Sequence, residues 1–421
     1  MAQLSGNSYD STFYSLLNGA LLLNGYSPNN AALENIKMFF RDEFTDAMYD
    51  TAKWMQMYPA DVDSTSTGLI TQVFGKTRVP VMASYTAANA EGQLITNEGV
   101  TITQESMPTA KLSLRFNQQS FEDGEMAMER FRGTPEYERI FSTFFNDTSD
   151  LIAGIQSLRT FTGLQIESTG KFVATPQNNA GGLQNLVIDF TKNAPDFDKN
   201  VQLAGNFGKL VRGWKPRGTN HDWTNKNANP IGDLQDMAQF YKLYKHQDLA
   251  TSVFRLSIED AALLYNHPST KLAIYSRRYG TVTELALAGF YPTNGEVNQY
   301  LTQVLQLPPI QEENGYGAVQ ALDPVTQKMV KISIPGFKSG RVLLRPAGAC
   351  GHYSWKSPTN MFSTSVNPMF ISDGGRIGIQ QMINTLGKEM FFNAESRGIT
   401  VPDNIDLWLY CDIATSQEET T

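Results

Sequence analysis

The residues best suited to chemistry are few and scattered. Gly75-Lys76-Thr77 has the ending of a phosphate-binding loop, in which backbone amides and a lysine cradle phosphate oxygens. Such a loop needs a glycine where Ile70 stands, and Gly68 is too far away. Its flanks also alternate like strands, where the motif requires strand, loop and helix, so a hairpin base is the simpler reading. Among the 4 histidines, His221, His246, His267 and His352, no two sit at metal-ligand spacing, and each reads as structural or surface. His221-Asp222-Trp223 holds the single adjacent His–Asp pair. Cys350 and Cys411 form no C-x-x-C and carry no local signature of a catalytic thiol. There is no G-x-S-x-G elbow. Glu122-Asp123 and Asp196-Phe197-Asp198 suit helix starts or turns better than a general acid/base pair. Asn146-Asp147-Thr148 matches a glycosylation acceptor but falls inside a helical pattern. Catalytic groups drawn from distant positions leave no local trace, so an enzyme with a dispersed site stays open at this point.

Composition bounds what could position such groups. The 421 residues suffice for two or three folding units of usual size. Hydrophobic content of 41% supports a core, while 18% charged residues falls short of the roughly 25% of an average globular chain. Polar surface must come largely from Asn, Gln, Ser and Thr. A net charge of −8 argues against tight binding of a phosphate backbone. The two cysteines imply no disulfide framework and suit a reducing compartment. The N-terminus has no basic n-region, and Leu16–Leu23 is too short to span a bilayer. The chain reads as made in the cytoplasm.

Element signals follow in order. Residues 1–30 are turn-rich and read as an extended arm. Residues 31–58 space Leu33, Ile36, Phe40, Phe44, Met48 and Met55 as an amphipathic helix that Pro59 stops. Residues 66–117 change period: Ala110, Leu112, Leu114 and Phe116 alternate with Lys111, Ser113 and Arg115. The stretch between the two strand signals has few large apolar residues. A two-stranded arm of that make-up is marginal in water and needs something outside itself to pack on.

Residues 134–163 read as one long helix. Thr134 suits the N-cap and Pro135 the first helical position, and Glu136 and Glu138 favour the positive end. Tyr137, Phe141, Phe144, Leu151, Ile155 and Leu158 form a stripe that Ile140 and Ile152 widen. Thirty residues make a rod of about 45 Å, against a radius of gyration near 22 Å for a compact chain of this length. The rod is therefore a strut on which other layers lie. After it, "GLQIESTGKFV" and "LQNLVIDF" read as strands, 193–230 as a loop-rich region, "NPIGDLQDMAQFYKLYKHQ" as a helix from Pro230, and "SIEDAALLYNHP" as a helix capped by Ser257. Residues 307–355 are β-rich, and "DNIDLWLYCDI" is a last strand. No repeat of solenoid length occurs.

This order of elements, together with five local stretches, resembles the tailed-bacteriophage major capsid proteins of Hong Kong-phage type. The stretches are "SLRTFTGLQIESTGKFV" (157–173), "LVIDF" (186–190), "NPIGDLQDM" (229–237), "SIEDAALLYNHP" (257–268), and "IPGFKSGRVLLRPAGACGHYSW" with "SPTNMF" (334–362). The last is similar to a strand-and-turn segment of the phage capsid protein E group. The resemblance implies an α+β fold divided into an N-terminal arm (1–60), an E-loop hairpin (61–117), a peripheral domain with the spine helix (118–192), an axial domain with return strands (193–365) and C-terminal peripheral strands (366–421). It also implies a structural protein, not an enzyme, with no cofactor, whose copies form hexamers and pentamers of an icosahedral shell around double-stranded DNA. Portal, scaffolding and decoration proteins would be its other partners, and it would have no membrane. On this reading the hairpin lies over a neighbouring copy, and the candidates for contact between copies are Arg78, Tyr85, Gln93, Glu98, Trp214 and Trp223. Heterologous contacts of this kind close into rings or shells, and permanent ones bury about 2,000–5,000 Å². An encapsulin-like nanocompartment and a β-rich enzyme remain as alternatives.

Overall fold

The computed structural model describes residues 55–62, 65, 68–74, 101–116, 135–175, 178, 186–192, 194, 197–215, 221–280, 287, 289–322, 329–358, 369–384 and 389–413. The arm, most of the helical stretch 31–58 and the hairpin tip lie outside these residues, as do Gly75-Lys76-Thr77 and Glu122-Asp123. The described strands are β1 (Leu69–Phe74), β2 (Thr101–Ser106), β3 (Thr109–Phe116), β4 (Lys171–Val173), β5 (Val187–Asp189), β6 (Val201–Leu203), β7 (Ser252–Ser257) and β8 (Ile310–Glu313). They continue with β9 (Tyr316–Leu322), β10 (Met329–Pro335), β11 (Arg341–Pro346), β12 (Gly351–Lys356), β13 (Met369–Ser372), β14 (Ile377–Asn384), β15 (Glu389–Pro402) and β16 (Leu409–Asp412). The chain divides into two compact units: residues 1–69, 106–160 and 353–400, and residues 70–105, 161–352 and 401–421.

In the first unit, β15 lies between β14 and β3, antiparallel to both. The residues before β1 are tied to β12 by the Tyr353 amide on the Pro59 carbonyl at 2.9 Å and the Trp355 indole on the Asp61 carbonyl at 2.8 Å. β3 falls within the stretch read as a two-stranded arm that needs an outside surface to pack on, and it pairs along β15 from Phe116↔Met390 to Thr109↔Arg397. Its alternation was a true strand signal, but the partner strand stands some 280 positions away in sequence, where no local pattern can point. β1 and β2, which fall in the second unit except for Leu69 and Ser106, pair with each other alone among the described strands. Leu112 of β3 reaches the long helix at Gly154, whose missing Cβ would stand 2.7 Å from the Leu112 Cδ2.

The long helix runs over Pro135–Thr169, 35 residues or about 52 Å at 1.5 Å per residue. It continues through "LQIEST", where a strand was expected. Leu164 and Ile166 mimic alternation, but the helix is buried on nearly every side from Arg159 to Ser168, so the apolar stripe no longer marks the period. Gly170 ends it at φ 75, with its amide on the Ile166 carbonyl at 2.7 Å. A left-handed stop of this kind favours glycine.

The second unit is built on a five-stranded sheet of order β6-β16-β11-β7-β8, parallel at the two outer pairs and antiparallel inside. Every residue of β7 is buried. Helix Pro230–Tyr244 starts as read from sequence, with Pro230 in its first turn and the Asn229 side chain accepting from the Gly232 amide at 3.1 Å. Helix Ile258–Asn266 starts at Ser257, which accepts from the Asp260 amide at 3.1 Å. Helix Pro268–Tyr279 follows directly. Met237, Tyr241, Phe254, Leu256, Leu264, Val342, Leu344 and Leu409 form the centre of the core. β9 and β10 pair only with each other, and the base of this ribbon rests on the long helix through glycine. A Cβ at Gly315 or Gly336 would meet Leu164 at 2.3 or 3.0 Å, and one at Gly317 would meet Phe161 at 3.0 Å.

Candidate contact surfaces and the buried network behind them

Glu167, near the end of the long helix, is fully buried and takes a guanidinium from each of two central strands. Arg255 of β7 donates through Nε at 3.0 Å and Nη2 at 3.3 Å, and Arg345 of β11 through Nε at 2.8 Å. Arg255 also reaches Glu313 of β8 at 2.5 Å and the Gln311 side chain at 3.2 Å, while Arg345 Nη1 donates to the carbonyls of Pro346 and Gly348. Burial alone would raise the Glu167 pKa, but the two guanidiniums override it and hold the carboxyl below its usual range. Two carboxylates and two guanidiniums balance in charge. A carboxylate so held is a weak base and a firm brace. It joins helix, β7, β8 and β11 within the second unit.

No local motif marks this network, because its members stand 88 and 178 residues apart. The available signal was a charge where the pattern asks for none: Arg255 inside "SVFRLS" and Arg345 closing "RVLLR". A second brace lies beside it. Arg341 grips Asp412 at 2.5 and 3.0 Å and donates to the Ser168 carbonyl at 3.1 Å.

The two tryptophans singled out from sequence are brought close to one helix. Trp223 donates to Asp233 Oδ2 at 2.9 Å, and Trp214 to Asp236 Oδ1 at 2.6 Å. Trp223 is only 2% exposed and its ring is part of the core. Trp214 is partly buried against the same core. Arg78, Tyr85, Gln93 and Glu98 lie outside the described residues. His221, read as structural, bonds Asp233 Oδ1 at 2.6 Å through Nδ1. Its ring lies against Gly205, where a Cβ would be 2.2 Å from the ring. His267 is held by Ser269 and the Asn225 carbonyl, and His352 by Asp403 at 3.0 Å. Among the described residues no cluster of His, Cys, Asp or Glu could hold a metal.

Burial pushes the Asp233 carboxyl up to about 6, with neighbouring Asp236 adding to the rise and the bonds from Trp223 and His221 opposing it. A carboxyl raised on folding stabilises the fold in its protonated form. That contribution is complete below the ordinary value of 3.8 and is lost as pH rises through about 6. We expect Asp233→Asn to remove it. The Tm of the wild type relative to Asp233→Asn should fall as pH is raised from about 4 to about 7, read by thermal melts at several pH values.

On the surface of the second unit, large apolar side chains are exposed along helix Pro268–Tyr279 and beside it. Leu272 is 45%, Tyr279 54% and Tyr291 67% accessible. The Lys271 ammonium stands 3.9 Å over the Tyr291 ring and the Arg278 guanidinium 5.4 Å over Tyr279. Tyr275 packs between Tyr279 and Phe290 at 4.6 and 5.4 Å. Among the described residues no helix is long and apolar enough to cross a membrane.

No family model matches the chain, and no curated protein matches it. Solved structures similar to it include a putative prophage capsid protein from Escherichia coli CFT073, at 14% identity and a TM-score of 0.45, covering 94% of this chain and 97% of that one. A phage-related protein from Bordetella bronchiseptica RB50 is 11% identical at a TM-score of 0.40, with 89% of this chain and 96% of that one covered. An encapsulin from Synechococcus elongatus PCC 7942 is 10% identical at a TM-score of 0.33, covering 85% and 86%.

Proposed function

We propose that this chain is a major capsid protein: a structural subunit that assembles with copies of itself, as hexamers and pentamers, into an icosahedral shell around phage double-stranded DNA. The observation that carries the reading is the ribbon of β1 and β2, which pair with each other alone among the described strands. Within their connection, residues 85–99 hold few large apolar residues: Tyr85, Leu94 and Ile95. A lone two-stranded ribbon is marginal in water, and a neighbouring copy is the natural surface for it to cover. The helix of 35 residues and the braced sheet of the second unit fit a subunit that must bear contacts on several sides. In this assignment residues 1–60 form the arm, 61–117 contain the E-loop, 118–192 the peripheral domain, 193–365 the axial domain and 366–421 the closing strands. Portal, scaffolding and decoration proteins are its partners in the virion, assembly takes place in the host cytoplasm, and DNA is enclosed without sequence reading.

Deleting residues 85–99 tests the reading. The shortened chain should keep its circular-dichroism spectrum and thermal transition and yield no closed shells by negative-stain microscopy and sedimentation. Closed shells at the wild-type yield would overturn the role given to the ribbon. The contents of wild-type shells separate DNA packaging from a compartment for protein cargo.

A further inference from the structure

We infer that the exposed basic stretch of Lys209, Arg212 and Lys215 binds the phosphate backbone of double-stranded DNA without reading its sequence. This goes beyond enclosure, which needs no contact between a wall and its contents, and it stands on the single subunit.

From Lys199 to His221 the chain carries Lys199, Lys209, Arg212, Lys215 and Arg217 and no acidic residue, in a protein of net charge −8. The fold turns three of these cations outward by fixing their neighbours inward. Phe207 and Val211 are buried in the core of the second unit, and Trp214 packs against it while donating to Asp236 Oδ1. Beside these anchors Lys209, Arg212 and Lys215 are exposed. The backbone is pinned as well. The Tyr244 hydroxyl donates to the Leu210 carbonyl at 3.0 Å and accepts from the Arg212 amide at 3.4 Å. The Trp214 amide closes a turn on the Val211 carbonyl at 3.1 Å. From Lys209 to Lys215 the chain can span at most about 20 Å, and the turn shortens that.

The three cations have no anionic partner within the subunit. Among the described residues none of them meets a carboxylate, and Lys209 donates to Asn206 Oδ1 at 3.2 Å. The carboxyls of the same region are engaged elsewhere. Asp236 is buried and accepts from Trp214, Asp233 is buried and accepts from Trp223, and Asp222 accepts from Thr224.

The occupant follows from this arrangement. A duplex carries one negative charge per about 1.7 Å of its axis, so a basic stretch of this length faces several phosphates at once. Unpaired strands are held in large part by bases stacked on open aromatic rings. Here Trp214 is tied to Asp236, and Tyr244 is stacked on Phe240 at 4.8 Å. The net charge sets the strength of binding and not its place: exposed charges are screened beyond about 8 Å at physiological salt, so the local cations govern the contact while the acidic remainder keeps it weak.

Fluorescence anisotropy of the full-length protein with a labelled DNA duplex is the test. Three phosphate contacts give a slope of log K against log salt of about −2.7, a loss of about fortyfold between about 50 and 200 mM salt. Lys209→Gln/Arg212→Gln/Lys215→Gln should weaken binding by about tenfold or more at the lower salt and flatten the slope. Arg212→Gln alone should reduce the slope by about 1, which keeps the test open should the triple variant lose the wild-type circular-dichroism spectrum. Lys192→Gln/Arg277→Gln/Lys338→Gln removes the same charge from exposed positions outside the stretch and should leave affinity within about twofold of the wild type.

A wild type that does not bind the duplex at about 50 mM salt overturns the inference and leaves the proposed shell standing. Equal losses in the two triple variants overturn it too, because total charge and not this stretch would then govern binding. Tighter binding of the unpaired strand overturns the assignment to a duplex. If Lys209→Gln/Arg212→Gln/Lys215→Gln keeps its duplex affinity and loses binding to polyglutamate or to phosphatidylserine vesicles, the stretch belongs to an acidic protein or a lipid surface, and the inference is overturned.

Discussion

Glu167→Ala is expected to lose about 3–5 kcal/mol of stability, the range found when one partner of a buried ion pair is removed. The reason lies in what stays behind. Arg255 and Arg345 are both buried and both point at the missing carboxylate. Arg255 keeps Glu313, but Arg345 keeps only backbone carbonyls. Urea unfolding monitored by tryptophan fluorescence gives the difference. A loss under 1 kcal/mol would mean that water or neighbouring groups compensate both guanidiniums. The pH dependence has its own sign. Because the folded-state pKa of Glu167 lies below its ordinary value of 4.5, its contribution is present above that value and lost as pH falls through the depressed one. Asp233 works in the opposite direction, so acid weakens one brace of the second unit while relieving another.

Gly154→Pro is expected to cost about 3 kcal/mol or more. The site lies inside the long helix, where proline removes one backbone bond and its ring strikes the preceding turn. Gly154→Ala is the control. Alanine gains roughly 1 kcal/mol of helix propensity, and its new Cβ meets the end of the Leu112 side chain, which is 42% exposed and has room to turn away. The alanine variant should therefore stay close to the wild type while the proline variant unfolds at lower denaturant. Equal stability of the two would contradict a continuous helix through this point.

What the sequence determined by itself is local. Helix starts at Asn229-Pro230 and Ser257 were legible because capping needs only a side chain and an amide three residues on. The long helix showed in the stripe through Leu151, Ile152 and Ile155, all buried in the fold. β3 was legible as a strand from its alternation. What tertiary structure decided is everything that depends on a partner far along the chain. It gave β3 its place against β15, extended the long helix through a segment buried on nearly every side, and placed Trp223 in the core. It also gathered Glu167, Arg255, Glu313 and Arg345 into one charge-balanced network. Short-range rules act through neighbours three or four residues apart, whereas burial and charge pairing are set by distance in space, and chain folding alone brings those groups within reach.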